Sequence, residues 1–350
     1  MAARGEEHKG GRAAEGTLFG LAIGDALGYP TEFSDIAALD GRYGSWRQLP
    51  FPVRSSGTAL VSDDTQMTLA YGDALRDLLA GGGPLDPARH ADAVRTRFVR
   101  WLHDPENNRA PGNTCLHACA GLERGGPWQQ SSVLGSKGCG ANMRVAPIAL
   151  VPGLSDDDRA GAAQQQAALT HGHPTAIAAT ELTAAAIRDL ADGIAPQGLV
   201  DRLVERATRQ RSVYRAGWLG DLAERAGAAD GPSFMAPGWD ECLAVLGRVR
   251  AHTDGSAPRD EETDPCALIG AGWIAEEALA TALYCFLLFP DDPAAAVRRA
   301  AHSSGDSDSI AALAGAFAGA RHGAEAWPAE WTDRIEYRDH LAALALAWDV

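Results

Sequence analysis

Ser62-Asp63-Asp64-Thr65-Gln66 and Gly305-Asp306-Ser307-Asp308-Ser309 each pack two carboxylates and neighbouring hydroxyls into five positions, far apart in the chain. Neither run has a Cys or a cluster of His near it in sequence. Hard divalent cations take oxygen ligands in octahedral arrays, so the donor types point to Mg²⁺, with Mn²⁺ able to substitute, rather than to zinc. One run alone holds too few donors for two ions. Folded together, the two would grip a pair of cations held roughly 3.5 to 4 Å apart, as two-metal hydrolases do.

Ser and Asp ahead of an apolar helical stretch are also ordinary N-caps, and negative charge there complements the helix dipole by roughly 0.3 to 1 kcal/mol. Helical spacing follows both runs: Met67, Ala70, Tyr71, Ala74 and Leu78 after the first, Ile310, Leu313, Ala314 and Phe317 after the second. A cap needs one side chain, however, whereas each run crowds two carboxylates whose repulsion calls for a compensating cation. The doubling favours metal.

Four other segments bear on chemistry. Leu21 to Phe33 reads as an apolar helix that turns acidic at Asp25, breaks at Gly28 and Pro30, and places Glu32 just past the break, where a carboxylate beside metal ions can orient or deprotonate water. Gly135 to Pro147 is a glycine-rich loop whose backbone N–H groups can converge on an anion such as a diphosphate; an ordinary turn is the competing reading. Leu169-Thr170-His171-Gly172-His173-Pro174 ends one helix and begins another, a position that favours His for structural reasons as well as for substrate contact. Asn113, in Pro111-Gly112-Asn113-Thr114-Cys115, reads as an N-cap.

The elements that must carry these residues are helices. Amphipathic or Ala-rich periodicity predicts helices over 15–27, 64–79, 87–102, 113–122, 157–171, 175–192, 197–214, 239–252, 273–289, 293–302, 309–323 and 338–348, with breaks at 81–84, 104–112, 125–140, 227–238 and 254–265. No run of alternating strands and no fixed repeat emerges. The expected architecture is all-α, one multi-helix domain from residue 14 onward behind a loose tail over 1–13. Composition narrows the partners: 46 acidic residues against 31 basic give a net charge of -15, which disfavours a bulk nucleic-acid surface. The most apolar stretch, 278–290, is too short to cross a bilayer, which needs about 20 residues. Six Cys without a CxxC pair, and an N-terminus without an apolar secretion segment, suit reduced thiols in the cytoplasm.

Taken in order, Gly24-Asp25-Ala26-Leu27-Gly28 with Glu32, Ser62-Asp63-Asp64-Thr65, Ser136-Lys137-Gly138-Cys139-Gly140 with Met143-Arg144, Thr170-His171 and Gly305-Asp306-Ser307-Asp308-Ser309 closely resemble the ADP-ribosylglycohydrolases over about residues 14 to 323. The resemblance implies an all-α hydrolase with a binuclear Mg²⁺ centre that cleaves the glycosidic bond at C1″ of ADP-ribose, on an ADP-ribosylated protein or a small ADP-ribosyl conjugate. By motif matching, Ser62, Asp63 and Asp64 would hold one ion and Asp306, Asp308 and Ser309 the other. Glu32, Asp64 and Asp306 would be the catalytic carboxylates. Ser136, Lys137, Gly138, Cys139 and Gly140 would wrap the diphosphate and adenosine side, with His171 on the same ligand. Two departures stand out: Ser309 replaces the commoner Thr, and Cys139 stands where many relatives carry Asn. Arginine is the favoured leaving group over an O-linked one. A silent ADP-ribose-binding or structural relative, and a phosphohydrolase, are the alternatives.

Overall fold

The computed structural model describes residues 12–256 and 258–349. Eighteen α-helices and four short 3-10 turns make up the described regular structure, and extended segments pair only as isolated bridges such as Val133 with His171 and Gly138 with Ile274. The fold is all-α. The twelve expected helices all form, and six more appear: Ile36–Tyr43 and the one-turn helices Ala146–Leu150, Ala216–Leu219, Leu222–Arg225, Pro265–Leu268 and Ala329–Thr332, which are too short to show a period. A helix at Ile36–Tyr43, capped by Asp35 onto the Ala38 N–H, buries only Leu39, so it leaves no periodic signal. The break expected over 227–238 is shorter: Asp230 accepts from the Ser233 N–H and starts a helix at Gly231–Thr253 that runs through Pro237. Asn113 is the first helical residue rather than the cap, which is Gly112 and makes no side-chain bond. The first helix begins at Ala13; residues 1–11 of the expected tail lie outside the described residues.

The helix Ala13–Gly28 is the organising element. Gly16, Gly20, Gly24 and Gly28 recur every four positions and so share one face. That face lies against the helix Ser307–His322, running antiparallel: a Cβ on Gly24 would come within 1.9 Å of the Ala311 carbonyl oxygen, and one on Gly28 within 2.4 Å of the Asp308 Cα. Only glycine lets two backbones approach this closely. The consequence is positional. The C-terminal end of the first helix is held directly on the first turn of the Ser307 helix, where Asp306, Asp308 and Ser309 sit.

A third helix, Asp63–Ala80, is fastened to the same place by Asp25. Its carboxylate, buried within the first helix, accepts the Ser62 N–H at 2.9 Å, the Thr65 N–H at 3.1 Å and the Thr65 hydroxyl at 2.5 Å. From the other end of the chain Glu336 accepts the Val61 N–H at 3.0 Å and pairs with Arg109, whose carbonyl takes the Asp63 N–H at 3.2 Å. Three helix ends and a C-terminal strap thus converge on one spot. The six cysteines are free thiols, and no helix among the described residues is long and apolar enough to cross a membrane.

Candidate active site

Helix capping and ion binding make different demands on these side chains, and the hydrogen bonds separate them. Ser62 is the N-cap of the Asp63 helix, accepting the Asp64 N–H at 3.2 Å; neither carboxylate that follows it is used as the cap. Asp306 occupies the N-cap position of the Ser307 helix yet makes no side-chain capping bond. Asp63 accepts only a long bond from the Gly112 N–H, 3.3 Å, and the Asp64 Oδ2 is buried with no hydrogen-bond partner.

Asp63 and Asp64 feel the charge of Asp308, but the tightest grouping does not include them. Glu32, Asp306 and Asp308 each offer an oxygen within 4.8 Å of the others. Glu32 sits one turn past the end of the first helix, its N–H bonded to the Gly28 carbonyl at 2.9 Å, and its Oε2 is buried without a partner. Burial and then the charge of Asp308 push Glu32 up to about 10 and Asp25 up to about 7; the same two causes, in the same order, raise Asp63, Asp64 and Asp306 well above the ordinary carboxylate range. Crowded, dehydrated acids of this kind call for a cation. The orphaned oxygens of Asp64 and Glu32, and the oxygen-dominated donor set, fit a divalent ion.

Sequence spacing did not foresee sulfur in this cluster. The Cys139 Sγ lies 2.7 Å from the Asp306 Oδ2 and 3.5 Å from the Ser309 hydroxyl, so the donor set is not purely oxygen. Burial first, then Asp306, raises the thiol well above its usual value, and it is the donor to the carboxylate.

The glycine loop reaches the cluster through this cysteine, with Cys139–Ala141 forming a 3-10 turn. The Ser136 hydroxyl lies 2.9 Å from that of Thr114, and the Lys137 ammonium is already paired with Glu241 at 2.7 Å and Glu276 at 2.6 Å. His171 is buried under the loop, its Nδ1 2.8 Å from the Thr170 hydroxyl, and burial lowers its pKa well below the usual imidazole value, so it is neutral. Gly140 has a packing reason of its own: a Cβ there would meet the Cys115 sulfur at 2.8 Å and the His171 ring at 3.0 Å. The bolt beneath is Arg144, fully buried and without a carboxylate partner among the described residues, donating to the Gly140 carbonyl at 2.6 Å, to Thr170 at 2.7 Å and to Gln166, and stacked over Phe98.

Beside Glu32 in the chain, Phe33 stacks on Trp273 with centroids 5.4 Å apart and planes 19° from parallel, although both are exposed. Phe33 follows Glu32 and holds a positive φ of 63°, while Trp273 follows Gly272, which packs on Asp306. Spacing gave no hint of this pair: Phe33 stands in a loop, and Trp273, expected to open a helix, lies just before it, since that helix starts at Ala275. Asp25 was visible as an acid deep in an apolar helical run; the strap of Arg109 and Glu336 was not, because long-range pairs leave no local pattern.

A family model described as ADP-ribosylglycohydrolase matches residues 8–349. The chain belongs to the ADP-ribosylglycohydrolase family. Membership makes it a hydrolase that removes ADP-ribose, and the match runs beyond residue 323 to take in the C-terminal strap. Relatives include the ADP-ribosyl-[dinitrogen reductase] glycohydrolase of Rhodospirillum rubrum, 26% identical over 93% of this chain and 90% of that protein. The ADP-ribosylarginine hydrolase Tri1 of Pseudomonas putida is 26% identical over 95% of this chain and 76% of its own length. A solved structure titled ADP-ribosylglycohydrolase-related protein complex shares the fold, with a TM-score of 0.59 at 24% identity over 96% of both chains.

Proposed function

We propose that this ADP-ribosylglycohydrolase is a Mg²⁺-dependent enzyme that cleaves the C1″ glycosidic bond of ADP-ribose on an arginine guanidinium, with two Mg²⁺ held by Ser62, Asp63, Asp64, Asp306, Asp308 and Ser309. The observation that carries the metal reading is the convergence of Glu32, Asp306 and Asp308 within 4.8 Å beside the partnerless Asp64 Oδ2. Mn²⁺ suits the same donors. Bound ions would supply Lewis-acid stabilisation and an activated water. Burial and the neighbouring acids hold a proton on Glu32 when no cation is bound; cations that offset those charges would leave it ionised, and it then takes the proton from the attacking water at Oε2, the oxygen left free of hydrogen bonds. Asp64 and Asp306 hold charge close to the anomeric carbon, where an oxocarbenium-like centre develops. Ser136 to Gly140 and His171 bind the diphosphate and adenosine side through backbone and the neutral imidazole; Lys137, engaged by two carboxylates, shapes the loop.

Three things support arginine as the leaving group. The names of two relatives point to arginine or to a modified protein. The cluster is acidic, and the Phe33–Trp273 pair, which adjoins Glu32 in the chain, offers the ring faces on which a planar guanidinium stacks. Reduced cysteines fit a cytoplasmic setting, and we take residues 14 onward to act as one domain. A panel of defined ADP-ribosyl linkages, with free ADP-ribose as readout, tests the reading. Arginine-linked substrate should turn over fastest and chelator should stop it; faster release from a serine linkage overturns the arginine preference.

A further inference from the structure

A cavity of about 300 Å³ is lined by Trp46, from the 3-10 turn Trp46–Gln48, and by Arg299 and His302, from the helix Pro293–Ala301 and its C-cap. Their nitrogens are unpaired. The Trp46 Nε1, the Arg299 Nε and both ring nitrogens of His302 are buried without a hydrogen-bond partner, in residues only 5%, 1% and 2% exposed. Buried polar atoms are as a rule satisfied, so four such nitrogens on the residues of one cavity call for an acceptor. Charge narrows the kind of acceptor. The other donors of Arg299 go to neutral groups, the His302 carbonyl at 2.8 Å and the Thr263 carbonyl at 3.0 Å, and no carboxylate among the described residues pairs with it. Arg144 is equally buried, but its Nε is taken by Gln166 at 2.9 Å. Water would satisfy the free N–H of Arg299 and leave its charge unmatched; an anion does both. The carboxylates that share the lining are exposed: Glu262 is held by Arg47 at 2.5 Å, and Asp40 lies 3.4 Å from the His302 Nε2 without the geometry of a hydrogen bond.

We propose that this cavity is a second ligand site, separate from the acidic cluster, that binds a tetrahedral oxyanion of the phosphate class against Trp46, Arg299 and His302. The inference stands independently of the metal reading. Indole and guanidinium N–H groups donate and never accept, and a neutral His302 adds one more donor, so the wall selects a ligand that is all acceptor. Hydrogen bonds from a guanidinium to a phosphate oxygen are charge-assisted and among the strong ones. The volume stands at the lower end of the range for ligand pockets, about 300 to 1,000 Å³, and suits either the free ion or the phosphoryl group of a small ester.

The test uses the full chain in chelator, titrated by calorimetry with inorganic phosphate and, in a second arm, with glycerol phosphate. Binding is expected in at least one arm; the free ion binding assigns the site to phosphate itself, and the ester binding alone assigns it to a phosphoryl group carried on a small molecule. Trp46→Phe keeps the ring that packs on Phe289 at 5.0 Å and removes only the N–H. It should weaken the binding about tenfold or more, the scale of one hydrogen bond to a charged group, whereas Ser136→Ala, in the glycine loop, should leave it in place. A crystal of the unmodified protein soaked in selenate, a tetrahedral oxyanion visible by anomalous scattering, should show a peak within hydrogen-bond reach of the Trp46 Nε1 and the Arg299 Nε. No binding in either arm, binding unchanged by Trp46→Phe, binding lost in Ser136→Ala instead, or an anomalous map without a peak in this cavity overturns the proposal and leaves the catalytic reading untouched.

Discussion

Asp306 shows how much a single residue type leaves undecided and what resolves it. From sequence it is equally a helix cap and an ion ligand; in the fold it makes no capping bond and faces Glu32 and Asp308 instead. The doubled acids in each run were the legible clue, because one carboxylate caps a helix and two do not. What could not be read was the identity of their neighbours: Cys139 enters the cluster from a loop 167 positions away, and no local pattern announces a contact of that span. On this account Asp63→Ala and Asp306→Ala fold but lose at least about a hundredfold in kcat, the scale on which ligand-shell changes disable metal sites; circular dichroism and ADP-ribose release check both halves. Glu32→Gln separates chemistry from binding. It should lower kcat by about 10²–10⁴-fold, the range for loss of a general base, with Mg²⁺ affinity by calorimetry reduced far less, whereas an equal loss of both would make Glu32 chiefly a ligand.

At the level of elements, the long helices were legible because Ala- and Leu-rich stripes at 3.6-residue spacing survive in any tertiary context, while five one-turn helices were too short to carry such a stripe. Ile36–Tyr43 escaped, having one buried residue, and the start of Gly231–Thr253 was hidden behind its own Gly and Pro. The decisive element pairing was also the least visible: glycines at 16, 20, 24 and 28 look like poor helix formers until a second backbone lies on them. Gly24→Ala puts a methyl 1.9 Å from the Ala311 carbonyl oxygen, and no side chain is available to yield. The two helices must separate, at a cost of about 1–3 kcal/mol typical of overpacking. Urea denaturation should show that loss. Because the same contact sets Asp308, activity should fall by more than the unfolded fraction explains; unchanged stability would show that the pairing is looser than described.

For the whole molecule, the cluster concentrates electrostatic cost. Five acids, Asp25, Glu32, Asp63, Asp64 and Asp306, have pKa values raised by burial and then by the charge of Asp308, so above the ordinary carboxylate value of about 4 the folded protein binds more protons than the unfolded chain. Stability without metal therefore falls as pH rises, through about 7 for Asp25 and on toward about 10 for Glu32. His90 acts in the opposite sense: buried between Tyr71 and Gln165 and lowered to about 4, it favours the fold as pH rises from that value to about 6.5. His171, His173 and His302, also lowered by burial, act in the same sense as His90, but imidazoles contribute only up to about their ordinary value of 6.5, so above it the acids dominate. In chelator, the Tm should drop between about pH 6.5 and pH 8, and Mg²⁺ should recover most of the loss at the higher pH, since an ion bound only by the folded state stabilises it. A Tm that is flat with pH and indifferent to Mg²⁺ would mean that the acids are neutralised by other means.

The claim on which these expectations converge is that two distant acidic runs form one cation site. Anomalous scattering from a crystal soaked in Mn²⁺ tests it most directly. Two peaks roughly 3.5 to 4 Å apart, lying among Asp63, Asp64, Asp306 and Asp308, are the predicted result; an anomalous map empty there, with these carboxyls bonded to one another, would contradict it.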